Sequence, residues 1–160
     1  MNLINKVKNY WSTLFQKEIL IKYHNQLDGV YFPLEQLEVG DWIDLHAAET
    51  VELKAGEQKL VSLGISMKLP KGYEAWIAPR SSAYKHWAIL QTNTPGIIDN
   101  KFCGEEDIWK MSVLAFKDGT IQLGERICQF RIIKSMGKVK LKTVEHMTDT
   151  SRGGFGSTGK

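Results

Sequence analysis

Two hydrophobic periods divide the chain. Near its start Leu3, Ile4, Val7, Trp11, Leu14 and Phe15 recur at helical spacing, with Asn2, Lys6, Lys8 and Asn9 between them. That pattern predicts an amphipathic helix within an extension over residues 1–18. Its simplest use is packing against the body or a neighbouring subunit; the alternative is a membrane surface. Beyond it the period becomes two. Leu63, Ile65, Met67 and Leu69 alternate with Gly64, Ser66 and Lys68, and Tyr73, Ala75 and Ile77 with Glu74 and Trp76. Cys128, Phe130 and Ile132 repeat the pattern, as do Val139 and Leu141 between lysines. Each run predicts a strand with one buried face.

Turn residues punctuate these runs: Gly56-Glu57, Pro70-Lys71-Gly72, Pro95-Gly96, Asp118-Gly119, Gly124-Glu125 and Met136-Gly137. Many short strands, with no second helical pattern of any length, predict an all-β sandwich or barrel. No repeat or linker divides the chain, so residues 1–160 are expected to form one domain. The stretch over 150–160 carries four glycines and predicts no regular element. It reads as a mobile tail, because glycine-rich backbone is costly to order.

Composition narrows the function classes. The 42% hydrophobic and 24% charged fractions belong to an ordinary globular chain rather than a disordered one. A net charge of +3 leaves no strong electrostatic footprint for nucleic acid, although it suits a small polyanion. Cys103 and Cys128 are too few for a disulfide framework or a thiolate zinc site, which fits a reducing cytoplasm. His24, His46, His86 and His146 show no metal-ligand spacing. No apolar run approaches the roughly 20 residues of a membrane helix, and Lys6, Lys8 and Lys17 break the pattern of a signal peptide. A cytoplasmic location is expected.

Polar and glycine-rich segments interrupt the strands. Pro79-Arg80-Ser81-Ser82 reads either as a turn with a serine helix cap or as a phosphate cradle of hydroxyls, backbone N–H groups and a guanidinium. Residues 93–99 read as a hairpin-like stretch, whose Asp99 is a turn residue or a carboxylate at a pocket mouth. Residues 124–130 enter a strand carrying Arg126 and Gln129, which need partners if buried, since an unpaired polar group costs roughly 1–3 kcal/mol. The tail residues 154–160 match the first seven positions of a P-loop, but no strand precedes them and no Ser/Thr or helix follows the lysine. Such backbone can still wrap a phosphate, and Phe155 offers an aromatic face for a base.

In this order the segments resemble the five motifs of the trimeric dUTPase family. The first is Gly40-Asp41-Trp42-Ile43-Asp44-Leu45-His46-Ala47, similar to a glycine-tyrosine-aspartate-leucine signature. The second is Pro79-Arg80-Ser81-Ser82, the third residues 93–105, the fourth 124–129 and the fifth 152–159. The resemblance implies an all-β fold of the distorted jelly-roll or β-clip type, with the helical extension and a flexible arm over 150–160. It implies hydrolysis of dUTP to dUMP and pyrophosphate with Mg²⁺, which keeps uracil out of DNA and supplies dUMP for thymidylate synthesis.

Residue roles carry over position by position. Uracil would lie against the third motif, with Asn93, Ile98 and neighbouring backbone reading it and Gly96 permitting close approach. Asp99 matches the carboxylate that meets the sugar 3′-hydroxyl and orients the attacking water. Phe102 replaces the usual tyrosine under the deoxyribose. Arg80, Ser81, Ser82 and Gln129 match phosphate ligands, and Asp44 matches an aspartate that supports the metal's water shell. Arg152, Phe155, Gly156, Ser157 and Thr158 match the arm that closes over base and phosphates. Each site would draw on three subunits, so a homotrimer is implied, with neither membrane nor direct nucleic-acid binding expected.

Three departures stand against the family pattern. The first motif has an extra residue and Trp42-Ile43 before its aspartate, residues 106–110 look like an insertion, and Arg152 lies closer to Phe155 than usual. Two rival readings remain. A dCTP deaminase shares the fold and an arginine-serine-serine motif, but places a glutamate where Asp99 stands. A pure interaction module would use the 106–110 insertion or the N-terminal helix to grip a partner.

Overall fold

The computed structural model describes residues 17–24 and 32–154. The predicted N-terminal helix lies outside them except for Lys17 and Glu18, which take no regular structure. Phe155, Gly156, Ser157 and Thr158 of the expected arm also lie outside them.

The period-two runs become strands. They are β1 (Leu20–Tyr23), β2 (Ile43–His46), β3 (Val51–Leu53), β4 (Gln58–Ser62), β5 (Ile65–Lys68), β6 (Tyr73–Pro79), β7 (Ile89–Gln91), β8 (Gly96–Ile98), β9 (Lys110–Ala115), β10 (Gly119–Ile121) and β11 (Arg126–Lys134). All pairings are antiparallel. A four-stranded sheet has the order β2-β11-β6-β8 and a three-stranded sheet the order β4-β9-β7. Two ribbons, β1-β5 and β3-β10, complete the set. This is the expected all-β class.

Alternation decides which side chains enter the core. Leu63, Ile65, Met67 and Leu69 are buried, as are Ala75 and Ile77 on β6 and Phe130 on β11. The 106–110 insertion serves the same core. Asp107 accepts a hydrogen bond from the Gly104 N–H at 2.6 Å and donates its own N–H to the Gly104 carbonyl. That tight turn delivers Trp109, fully buried, edge-on against Phe130 with ring centroids 5.4 Å apart. Truncating so large a buried ring costs about 3–5 kcal/mol. The insertion is therefore a core plug, which removes the main support for reading it as a partner grip.

Three sequence expectations change. Val139 and Leu141 form no strand and are 56% and 90% exposed. Alternation yields a strand only where an edge pairs with it, and no such edge meets them among the described residues. A helix that periodicity cannot show, α1 (Ala83–Trp87), follows the second motif; at five residues it is too short to display a helical repeat. The stretch over 93–99 does not pair with β7 as a hairpin. Instead β7 pairs with β9 and β8 with β6, so residues 92–95 turn a corner from one sheet to the other.

One irregularity positions the site. Between Arg126 and Cys128 the β2–β11 register slips by a residue. In a regular strand Arg126 and Gln129, three apart, would face opposite sides. The bulge at Ile127 reverses the alternation, so Arg126 pairs with His46 and Gln129 with Asp44 on one face. Ile127 and Cys128 both turn inward, fully buried.

The turn before the bulge depends on Gly124. Its φ is +85°, and a Cβ there would collide with the ring of Phe32, which stacks on His46 at 5.0 Å. Gly137 has a φ of +80° with nothing near its would-be Cβ. Gly137→Ala should therefore cost only the left-handed backbone penalty of about 1–2 kcal/mol. Gly124→Ala should cost roughly 1–3 kcal/mol more, lowering Tm by several degrees beyond the Gly137 variant. Equal melting temperatures for the two variants would contradict the packing of Phe32.

Candidate active site

The first, second and fourth motifs meet around one carboxylate. Asp44, on β2, accepts from Arg80 Nε through Oδ1 at 3.1 Å and from an Arg126 Nη through Oδ2 at 3.2 Å. Arg80 Nη1 also donates to the Arg126 carbonyl at 3.4 Å, and the Arg80 N–H to the Ile127 carbonyl at 3.3 Å. Gln129 lies beside Asp44 and gives one amide hydrogen to the Pro79 carbonyl at 3.4 Å. The two guanidiniums and one carboxylate leave a net positive charge. Both guanidiniums keep donors free, which suits a bound polyanion.

Partial exposure limits what these ion pairs add to stability. Asp44 is 25% exposed and Arg126 52%, so water screens them and their main effect is to fix geometry. His46 lines the same open depression as Trp42, Asp44, Arg126 and Gln129. Burial, reinforced by the Arg126 charge, holds its imidazole below the ordinary 6.5, against the opposing pull of Asp44. It is neutral at pH 7 and adds no charge to the cluster. Trp42, where the family has a tyrosine, lies under the Arg131 guanidinium at 5.7 Å.

Ser82 occupies the N-cap position of α1, yet its hydroxyl makes no cap bond. Half-buried Ser82 and exposed Ser81 thus keep their hydroxyls unpartnered among the described residues. The helix is tied to the fourth motif instead by Trp87, whose indole N–H donates to Glu125 at 2.9 Å. The same Glu125 oxygen accepts from the Gln122 N–H at 2.8 Å, closing the turn around Gly124.

The third motif is elsewhere. Asp99 follows β8 and is exposed, with one carboxylate oxygen held by the Lys101 N–H at 2.6 Å. Asn100, absent from the sequence-based set, anchors this turn through three carbonyls, of Leu69, Pro70 and Tyr73, at 3.0–3.3 Å. Phe102 is 39% exposed nearby, and its N–H donates to the Asp99 carbonyl at 3.1 Å. Asn93 and Ile98 flank buried Gly96 at the sheet corner.

The structure does not bring Asp99 to Arg80. Ile98 pairs with Ala75, so Asp99 lies level with Glu74, while Arg80 follows the opposite end of β6. Six residues of strand separate these levels, about 20 Å. Arg152 is exposed and has no ion pair among the described residues. His46, Asn100 and Arg126 lie within the first, third and fourth motifs, but the resemblance assigns them no role in the site.

No three metal-ligating side chains cluster among the described residues. Asp44 already spends a lone pair of each oxygen on a guanidinium. The donor set fits an ion carried by a ligand's own oxygens and water, rather than one caged by protein. No helix among these residues is long and apolar enough to cross a membrane.

Comparisons with known proteins bear on the family and the fold. The dUTPase family model matches residues 42–159. The SPbeta prophage-derived deoxyuridine 5′-triphosphate nucleotidohydrolase of Bacillus subtilis is 49% identical over 142 residues, 89% of this chain and 98% of its own. A solved dUTPase mutant of Staphylococcus bacteriophage 80alpha, with dUpNHpp, superposes at a TM-score of 0.72 with 20% identity, over 89% of this chain and 98% of its own. The phage phi11 dUTPase, in which a structural Mg(II) ion is coordinated, gives 0.66 with 16% identity, over 81% and 97%. At such identities these structures speak for the fold, while the family match and the Bacillus relative speak for descent. The chain belongs to the dUTPase family.

Proposed function

We propose that this protein is a dUTP diphosphatase, hydrolysing dUTP to dUMP and pyrophosphate at sites shared among three copies of the chain. The Asp44–Arg80–Arg126 cluster carries this reading. It holds two cations on one carboxylate, with Arg126 and the Gln129 amide lining one depression beside Asp44 and with Ser81 and Ser82 following Arg80 in the chain. Phosphoryl transfer requires positioning and charge stabilisation more than covalent help, and these groups supply both.

Asn93, Gly96 and Ile98 receive the uracil and Phe102 backs the deoxyribose. Asp99 accepts a proton from the attacking water, its carboxylate oriented by the Lys101 N–H. Asp44 would support the water shell of a Mg²⁺ ion carried by the triphosphate, which would supply charge neutralisation there. Arg152, Phe155, Gly156, Ser157 and Thr158 close over the nucleotide and exclude bulk water. An aspartate at position 99 favours this reading over a dCTP deaminase.

The length of β6 supports the sharing. Reacting atoms must approach to about 3–3.5 Å, whereas Asp99 and Arg80 of one chain lie about 20 Å apart along the strand. A neighbouring copy can close that gap. Exposed apolar residues after β11, including Met136, Val139, Leu141 and Met147, offer it a surface to cover.

Asp99→Asn keeps the shape and removes the proton acceptor, so kcat should fall by roughly 10²–10⁴ with nucleotide binding largely kept. Near-normal turnover would end the proposed role of Asp99. Sharing is tested by mixing. An Asp99→Asn chain and a chain ending at Asp149 should each be nearly inactive, yet recover dUTP hydrolysis when unfolded and refolded together. A monomeric mass in solution with full activity would rule the shared site out.

A further inference from the structure

The corner between β7 and β8 is organised by a residue that no motif includes. Gln91, the last residue of β7, is 8% exposed. Its Nε2 forks to two carbonyls: Ile77 on β6 at 3.1 Å and Asn93 at 3.3 Å. Its own carbonyl accepts from the Thr94 hydroxyl at 2.9 Å. One side chain therefore ties the three-stranded sheet to the four-stranded sheet and holds the loop that carries Asn93.

The orientation of the amide is fixed by its neighbours. A flipped carboxamide would set an oxygen against two carbonyl oxygens, so nitrogen must face them. That leaves Oε1 buried with no partner. A fold seldom leaves a buried acceptor unpaired without a reason. Here the reason is that both amide hydrogens are committed to the corner, which dictates where the oxygen must point.

Gly96 completes the fit. A Cβ on Gly96 would lie 2.9 Å from Gln91 Nε2 and 3.3 Å from Ile77 Cβ. Gly96 lacks a side chain because the Gln91 amide fills that space from within the protein. The glycine's open backbone and the glutamine's fork are two halves of one packing unit.

Resting on the dUTP diphosphatase reading, we propose that Gln91 is a positioning residue for base selection, holding the Asn93 segment against β6 so that the third motif presents a rigid edge to uracil. Discrimination between uracil and cytosine depends on donors and acceptors that cannot turn to suit the wrong base. With its carbonyl pinned to Gln91, the Asn93 backbone cannot shift to meet the reversed pattern of cytosine.

Gln91→Met keeps the volume and removes both donors. The preference for dUTP over dCTP in kcat/KM should fall at least about tenfold, chiefly through a raised KM for dUTP, with kcat changed less than about threefold. Gly96→Ala should shift the preference the same way by displacing the amide, and should do so less in a Gln91→Ala background, where the space is empty. A lowered Tm with the preference intact in Gln91→Met and Gly96→Ala would make Gln91 merely structural and overturn the proposal. Wild-type protein that does not hydrolyse dUTP would defeat the underlying reading instead, so the two failures are distinguishable.

Discussion

A carboxylate shared by two guanidiniums organises the place where β2, β6 and β11 meet. Asp44 is supplied by β2, Arg80 by the end of β6 and Arg126 by the start of β11, segments far apart in sequence. Without the carboxylate, two cations this close would repel and splay into solvent. With it, each is held by a carboxylate oxygen and still has donors to spare. The ion pairs are too exposed to hold the fold together; the β6–β11 ladder, seven residues long, does that. What they determine is direction, the property a phosphate site needs from its cations.

That convergence requires the bulge at Ile127. A strand can present Arg126 and Gln129 on one face only by losing one step of alternation. The cost is a short stretch of disturbed pairing, offset by burying both Ile127 and Cys128. Cys128 shows the depth of that burial: removal from water, with the nearby Asp44 charge adding to it, pushes its thiol far above the ordinary range. The same bulge sets the Gly124 turn against Phe32, and Phe32 against His46. The wall of the phosphate depression thus inherits its rigidity from a packing chain rooted in the fourth motif.

Much of this was readable in the residues. Alternation marked β5, β6 and β11 because each has one face in the core. Turn glycines at 56, 72 and 124 stood where φ is positive. The motifs located Arg80, Asp44 and Gln129 because ligand chemistry restricts residue type. Other features left no local trace. Arg126 joins the site only through a bulge, which no periodicity announces. Val139 and Leu141 carry a strand pattern but lack an edge to pair with, since pairing is decided by the rest of the chain. The 106–110 segment reads as an insertion because it departs from the family pattern, and polar Glu106, Asp107 and Lys110 mask its tie to the core. The Gly104–Asp107 turn and the bulk of Trp109 were the overlooked signal of a core plug.

In the proposed reading, the separation of Asp99 from Arg80 links catalysis to assembly. Along β6 the level of Asp99 and that of Arg80 lie about 20 Å apart. Within one chain no side-chain rotation can bridge that distance, so in the proposed trimer the substrate itself spans two copies. Exposed Ile97 on β8 and Leu90 on β7, at 60% and 49%, flank the corner and remain uncovered in the lone chain. Covering them by a second copy would remove apolar surface from water. In the proposed trimer such a contact would favour association. Stability and activity would rise together with protein concentration, because binding a partner copy shifts the folded population by mass action. A chain this small gains a larger buried surface and an enclosed reaction site from one event.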